Sequence, residues 1–255
     1  MSKTPLPFAD YPVRPASFAA GLGATVVVAP HPDDEALGCG GLLALLHQLG
    51  QPTAAVLMSD GSMSHPHSQA FSPAARAAVR AAEFRHALML LGADATEPLL
   101  LQLPDGRVPA HAGEPGFWPA AEQLREFLEQ QEAATVLVPW RRDPHPDHRA
   151  TAALVQAALA GLPHPPRCLE YVVWAWERAA PADLPTAADG VRGFRLDVSA
   201  ALERKQRAIA AHRSQVAPGI FTDDSDGFLL APAMLAHFAG PHEVYFEAAL
   251  PETTP

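Results

Sequence analysis

Two short segments of the sequence combine imidazole and carboxylate side chains within a few residues. Imidazole nitrogen and carboxylate oxygen are the usual protein ligands of a catalytic zinc ion, which keeps three protein ligands and leaves a position for water. The prolines beside the histidines restrict the backbone, which suits a rigid ligand set. The two segments read Pro30-His31-Pro32-Asp33-Asp34-Glu35 and Pro144-His145-Pro146-Asp147-His148.

Each segment contains enough polar side chains for one to bind a metal ion and another to act as an acid or base in hydrolysis. Adjacent aspartates can point in different directions from a loop, so one of Asp33 and Asp34 could hold a metal ion while the other acts as a base. A metal ion lowers the pKa of bound water toward 7, and a nearby carboxylate can then accept the proton. Of His145 and His148, one could bind the metal. The other, oriented by a carboxylate such as Asp147, could donate a proton or stabilise an oxyanion, so the reaction class is metal-assisted hydrolysis.

Each segment follows a short run that is typical of a strand buried on both faces of a parallel sheet. These runs are residues 25–29 and 135–138. In open α/β sheets, ligands bind beyond the carboxyl ends of the strands. We therefore expect the two segments to approach closely enough for their side chains to share one ion.

The rest of the chain alternates strands with alanine-rich helices. This order predicts an α/β fold with a doubly wound, mostly parallel sheet and helices on both faces. We expect a single domain, with its core at about residues 22–250 and a proline-containing N-terminal extension at 1–21. The predicted helices are 36–49, 74–91, 120–131, 150–160 and 202–212, and the further strands are 53–58, 99–101, 169–174, 194–198 and 242–246.

Composition and charge exclude several classes of protein. The chain has 255 residues, of which 48% are hydrophobic and 18% charged, so it is globular. Its net charge of −10 repels phosphate backbones and anionic membrane surfaces, so neither nucleic acid nor a membrane is expected as a partner. No apolar run approaches the roughly 18 residues that a membrane-spanning helix needs. With no export signal and only two cysteines, Cys39 and Cys168, we expect a cytoplasmic location.

The two segments, together with Gly38-Cys39-Gly40-Gly41 after the first, resemble the two signature motifs of the PIG-L (LmbE-like) deacetylases. The resemblance covers roughly residues 22–250. The weaker matches to family patterns are Leu57-Met58-Ser59-Asp60-Gly61, Arg80-Ala81-Ala82-Glu83, Leu103-Pro104-Asp105-Gly106 and His212-Arg213-Ser214-Gln215.

This resemblance implies a zinc-dependent hydrolase with a Rossmann-like fold that removes an acetyl group from an N-acetylglucosamine-type amide. Asp33 would be the general base toward the attacking water. His145 would stabilise the tetrahedral oxyanion and protonate the departing amine, and Asp147 would tune His145. Arg80 and Asp105 would hold sugar hydroxyls. The zinc ligands that the resemblance implies are His31, Asp34 and His148.

The implied substrate is a small N-acetylated amino-sugar conjugate. The loop at 62–70 carries histidines where several thiol-pathway members have a glutamate-containing stretch, so the conjugated group is not specified. Fe²⁺ or another divalent ion could replace zinc, since availability as well as ligand type decides occupancy. A homo-oligomer is compatible with the sequence. Two alternatives stay open: an amidase of the same fold acting on another acyl amide, such as a secondary metabolite, and a catalytically silent sugar-binding protein.

Several other residues have two interpretations. His65 and His67 belong either to a solvated loop, which we favour, or to a lid over the site. His212 either reaches the site or closes a helix. The run Trp140-Arg141-Arg142 either contacts an anionic or sugar-bearing substrate or forms an ordinary loop. Trp174 and Trp176 are assigned to a strand rather than to a sugar-binding platform.

Overall fold

A computed structural model describes residues 7–248, and these residues contain an eight-stranded sheet. Its strands are β1 (Val13–Arg14), β2 (Thr25–Ala29), β3 (Thr53–Ser59), β4 (Leu99–Leu103), β5 (Thr135–Pro139), β6 (Arg167–Tyr171), β7 (Val191–Asp197) and β8 (His242–Ala248). The order across the sheet is β1-β7-β8-β6-β5-β2-β3-β4. β8 runs antiparallel to β6 and β7, and the other neighbouring pairs are parallel. The predicted mostly parallel sheet is confirmed.

Helices cover both faces of this sheet. They are α1 (Asp34–Gln48), α2 (Pro73–Leu91), α3 (Phe117–Gln130), α4 (Pro146–Ala160), α5 (Ala175–Arg178), α6 (Leu202–Ala211), α7 (Arg213–Val216) and α8 (Pro232–His237). Successive side chains of a strand point to opposite faces. Val27 accordingly packs in the layer of α1, α2 and α6, and Val28 packs in the layer of α3 and α4. The predicted doubly wound architecture is confirmed.

Two observed boundaries differ from the predicted ones and matter for the site. α4 begins at Pro146 rather than at residue 150, because proline suits the first helical turn and His145 caps the helix by accepting the backbone N–H of Asp147. β6 ends at Tyr171 and Trp176 lies in α5, so the assignment of Trp174 and Trp176 to a strand is wrong. The backbone N–H of Trp174 instead donates to the Asp143 carboxylate over 3.0 Å.

Part of the predicted N-terminal extension joins the fold. β1 pairs with β7, and Phe8 is buried against the sheet. The start of the extension, residues 1–6, and the end of the predicted core, residues 249 and 250, lie outside the described range. Within that range, no helix has the length and apolarity needed to cross a membrane.

The chain changes direction across the sheet at β2. β3 and β4 follow on one side of β2, and β5 and β6 follow on the other. The crevice beyond the carboxyl ends of strands at such a switch point is the usual ligand site of an α/β protein. The two histidine-containing segments follow β2 and β5, so the fold brings both to this crevice.

Candidate metal centre

Three histidine rings meet beyond β2 and β5. The ring centroids of His31 and His148 are 5.5 Å apart, and that of His145 lies 4.7 Å from the first and 5.0 Å from the second. One ring nitrogen from each residue lies within 4.8 Å of the other two. The imidazoles of His31 and His148 are therefore close enough to share one ion.

The Asp34 carboxylate lies between two of these rings. Its Oδ2 atom is 3.2 Å from Nδ1 of His31 and 3.1 Å from Nε2 of His148. On the other side of the His148 ring, Oδ1 of Asp143 is 3.3 Å from Nδ1. All four residues are buried. Despite these short distances, neither ring nitrogen of His148 has hydrogen-bond geometry with a partner among the described residues.

These groups fit a divalent metal ion. Burial lowers the pKa of His148, but the Asp34 and Asp143 carboxylates outweigh it and raise the pKa to about 9. Burial raises the pKa of Asp34, but His148 and His31 outweigh it and lower the pKa below its usual range. The cluster thus stabilises positive charge between imidazole and carboxylate. A cation beside Asp34 would satisfy the buried Nε2 of His148, with the Nδ1 proton directed at Asp143. This His/Asp group could hold a metal ion.

The His31 ring is oriented by two further carboxylates. Its Nε2 atom lies 3.0 Å from Oδ2 of Asp147 and 3.3 Å from Oδ1 of Asp105. A carboxylate that accepts the proton of one ring nitrogen leaves the other nitrogen as a ligand. His31, Asp105 and Asp147 also have spacing that would suit a metal. We favour the site between Asp34 and His148, because both ring nitrogens of His148 are buried there without a hydrogen-bond partner among the described residues.

Asp33 lies beside the cluster with a strained backbone. Its φ angle is 136°, in a region that residues other than glycine rarely adopt. Nη2 of Arg80 is 3.3 Å from the Asp33 carboxylate, and the same guanidinium donates to the carbonyl groups of Pro32 and Gly61. Burial raises the pKa of Asp33 to about 7, although Arg80 acts to lower it. This carboxyl can both accept and release a proton near neutral pH.

His145 is held as a neutral ring beside the cavity. Its Nδ1 atom accepts the backbone N–H of Asp147 over 3.2 Å, so the ring proton resides on Nε2. Burial, and then His148 and His31, lowers the pKa of His145 to about 4. The Trp174 indole stacks on the imidazole at a centroid distance of 6.4 Å. His145 therefore offers one N–H donor to the cavity.

Three of the residues implied by the family resemblance have contacts that the sequence did not indicate. Asp147 was expected to tune His145, but its carboxylate contacts His31 and only its backbone N–H meets the His145 ring. Arg80 and Asp105 line the cavity, as sugar-binding residues should. Both side chains also contact other residues: Arg80 donates to the Pro32 carbonyl, and Asp105 accepts the Met63 N–H. Nη1 of Arg80 lies 4.0 Å from the Asp105 carboxylate. Their contact with sugar hydroxyls stays a prediction.

A cavity of about 290 Å³ opens onto the histidine cluster. Its lining also includes apolar side chains, among them residues that the sequence analysis missed or assigned differently. Phe228 and Leu230 come from a segment with no periodic pattern, so no sequence signal places them there. The Arg178 guanidinium lies over the Trp174 indole, with its central carbon 3.9 Å from the ring centroid. Asp143 had a usable signal, since it lies two residues before His145 and is itself acidic.

Part of the loop at 62–70 packs against a later segment, although His67 and several of its neighbours are exposed. The His65 side chain is 4% exposed and its ring centroid is 4.7 Å from that of Phe221. Three backbone N–H groups of the loop donate to the carboxylates of Asp223 and Asp224. The solvated-loop interpretation is therefore wrong for His65 and is supported for His67, which is exposed. The loop also supplies part of the cavity wall.

The run from Trp140 to Arg142 forms ordinary structural contacts. Trp140 is fully buried, and its indole N–H donates to a backbone carbonyl. Arg141 pairs with Glu170, and Arg142 pairs with Asp189. None of the three lines the cavity. The loop interpretation of this run is supported over substrate contact.

The fold and the site define an α/β protein with a candidate metal centre at the switch point of its sheet. The family described as GlcNAc-PI de-N-acetylase, PIG-L, matches residues 26–159, which is more than half of the chain and includes both histidine-containing segments. The chain belongs to the PIG-L family. No curated protein matches it significantly.

Several solved structures share the fold over nearly the whole chain. N,N'-diacetylchitobiose deacetylase from Pyrococcus horikoshii is 22% identical, with a TM-score of 0.65 over 91% of this chain and 86% of that one. The zinc-inhibited form of teicoplanin deacetylase Orf2 is 18% identical, with a TM-score of 0.64 over 91% and 100%. GalB, the 4-carboxy-2-hydroxymuconate hydratase from Pseudomonas putida KT2440, is 16% identical, with a TM-score of 0.60 over 92% and 99%. Since these relatives include two chemistries, the function must be argued from the site.

Proposed function

We propose that this chain is a zinc-dependent hydrolase that removes an acetyl group from a small N-acetylated amino-sugar conjugate. The observation that carries the proposal is the placement of Asp33 and His145 at the edge of one His/Asp cluster, facing a single cavity. Membership of the PIG-L family supports de-N-acetylation as the reaction. The names of the chitobiose and teicoplanin deacetylases support a sugar-containing substrate.

Each site residue has a separate role in the proposed reaction. His31, Asp34 and His148 would hold the metal, which when bound would polarise the amide carbonyl and acidify the attacking water. Ionised Asp33 accepts a proton from that water as its oxygen attacks the carbonyl carbon. The Nε2–H of His145 donates to the oxygen of the tetrahedral intermediate.

The departing amine receives its proton from Asp33. The family resemblance implies His145 for this step, but Nδ1 of His145 accepts the Asp147 N–H, so the ring carries one proton, on Nε2, which it uses toward the oxygen of the intermediate. Asp33, with a pKa of about 7, can return the proton it has accepted. As the C–N bond breaks, the nitrogen keeps the electron pair and takes this proton, which gives a free amine and acetic acid. The acid then releases the second proton of the attacking water to solvent and becomes acetate.

The cavity size favours one sugar ring with its acetamide. Its volume of about 290 Å³ is at the lower end of the range of roughly 300–1,000 Å³ for small-molecule sites. Arg80 and Asp105 would contact the ring hydroxyls. The apolar wall with Trp174 and Phe228 would contact the conjugated group.

Elemental analysis and a product assay test this proposal together. The metal-loaded protein should release equal amounts of acetate and free amine from N-acetylglucosamine or its conjugates, and chelation should abolish the release. Release from non-sugar acyl amides alone would favour the same-fold amidase. Sugar binding that is equal in metal-free and metal-loaded protein, with no product, would favour the silent binding protein.

A further inference from the structure

A buried acid–base pair lies behind the candidate metal centre. Oε1 of Glu35 is 2.7 Å from Nε2 of His212, and neither side chain lines the cavity. Both residues are completely buried. The pair therefore cannot act by touching substrate, and any effect on the reaction has to pass through another residue.

The second carboxylate oxygen of Glu35 contacts Asp33, the proposed base. Oε2 accepts the backbone N–H of Asp33 over 3.1 Å. Asp33 is the residue with a φ angle of 136° at the start of α1. A backbone in such a sparsely populated region persists only where its surroundings hold it. Glu35 supplies the hydrogen-bond acceptor that holds this backbone.

His212 connects this arrangement to a distant part of the chain. It lies between α6 and α7, and its backbone carbonyl accepts the N–H groups of Gln215 and Val216. The neighbouring Ser214 is tied to the Glu83 carboxylate of α2 through both its N–H and its hydroxyl. The His212 ring is therefore fixed by its segment and in turn fixes the Glu35 carboxylate.

We propose that Glu35 and His212 are positioning residues that hold Asp33 in its strained conformation, with its carboxylate beside Arg80. The proposal rests on the assignment of Asp33 as the base in the proposed function. Removal of the Glu35 carboxylate leaves the buried Asp33 N–H without its acceptor. The backbone then relaxes and the carboxylate moves, while the metal ligands keep their own contacts.

The kinetic test compares Glu35→Ala, Glu35→Gln and a matched control, Glu243→Gln. Glu243 is also a buried carboxylate that accepts backbone N–H groups of α1, from Gly41 and Leu42, but it lies outside the cavity. We expect Glu35→Ala to lower kcat by about 10–100-fold with KM and metal content within twofold. Glu35→Gln should recover most of kcat, because its amide oxygen still accepts the Asp33 N–H. Glu243→Gln should lower Tm and leave kcat unchanged.

The result that overturns the proposal is an unchanged kcat in folded Glu35→Ala, or an equal fall in kcat in Glu243→Gln. If Glu35→Ala does not fold, His212→Ala and His212→Gln give the same comparison. The alanine variant should lose kcat at constant KM, and the glutamine variant, which can still donate to Glu35, should lose less. Equal loss in the two His212 variants would then count against the pair.

The φ angle of Asp33 in crystal structures of the variants tests this proposal independently of the proposed function. In Glu35→Ala the φ angle of Asp33 should leave the positive region, whereas in Glu35→Gln it should stay there. This result is expected even if no N-acetylated substrate is turned over. A positive φ angle at Asp33 in Glu35→Ala would contradict the positioning role whatever the reaction is.

Discussion

Two adjacent aspartates of identical chemistry have different environments in this site. Burial dominates the environment of Asp33 and raises its pKa to about 7. For Asp34, two imidazoles outweigh burial and lower the pKa. The positive φ angle of Asp33 turns the backbone between the two side chains. One aspartate is therefore suited to exchange protons, and the other to remain an anionic ligand.

Substitutions should separate metal binding from turnover. His148→Ala removes a proposed ligand, so the variant should lose both the metal and the activity. Asp33→Ala leaves the proposed ligands in place, so it should retain metal while turnover falls by at least about 100-fold. Elemental analysis and kcat measured on the same preparations test this difference. Equal loss of metal in the two variants would contradict the assigned roles.

The pH dependence should reveal the link between Arg80 and Asp33. The Arg80 guanidinium lowers the pKa of Asp33, so Arg80→Met should raise that pKa. Since the base must be ionised, the acidic limb of the kcat/KM profile should move to higher pH. Arg80→Lys keeps the charge and should move the limb less. A limb that stays in place or moves to lower pH in Arg80→Met would contradict this prediction.

At the scale of elements, α1 depends on glycine for its close approach to neighbouring elements. A Cβ atom at Gly41 would lie 2.5 Å from Cβ of Val198, and one at Gly38 would lie 2.3 Å from the Tyr171 ring. The sequence analysis used these glycines only as part of a family motif. The structure shows that they let α1, which begins with the proposed ligand Asp34, pack closely onto the fold.

Gly41→Ala should therefore destabilise the protein. Overpacking costs about 1–3 kcal/mol, which should exceed the gain of up to about 1 kcal/mol in helix propensity. Gly113→Ala is the matched control, because its Cβ would meet no atom within 4 Å. Urea unfolding measures both variants, and the control should stay within about 0.5 kcal/mol of the parent. A more stable Gly41→Ala would show that α1 has room to shift.

Strands and helices with a clear local sequence pattern could be predicted, but the residues at which they begin and end were predicted less accurately. The buried strand β2 was predicted with the bounds that the structure has, because its β-branched run is short and continuous. β8 was predicted as a strand, but its antiparallel place between β6 and β7 depends on long-range pairing. The early start of α4 depends on a cap made by His145, which periodicity does not show.

At the scale of the whole molecule, the sheet topology explains why the two motifs could be joined from sequence. Both follow buried strands, and parallel strands end at a common edge. Contacts to later parts of the chain had no comparable signal. The Glu35–His212 pair and the wall residue Phe228 both depend on how the C-terminal third of the chain folds back onto the site.

Metal binding should stabilise the whole fold. The centre joins residues that follow β2 and β5, and without a cation several carboxylates lie close together there. A ligand at 100 times its Kd adds about 2.7 kcal/mol of stability. Chelation should therefore lower the Tm of the parent protein, and re-addition of zinc should restore it. The Tm of His148→Ala should change with neither treatment. A parent protein with the same Tm with and without chelator would contradict a centre formed by the folded state.

Anomalous diffraction at the zinc absorption edge, on crystals grown with zinc, tests the central claim most directly. We predict one strong peak at about 2.0–2.2 Å from a ring nitrogen of His31, a carboxylate oxygen of Asp34 and a ring nitrogen of His148. A peak bound by Asp105 and Asp147 instead, or no peak near His148, would contradict the claim.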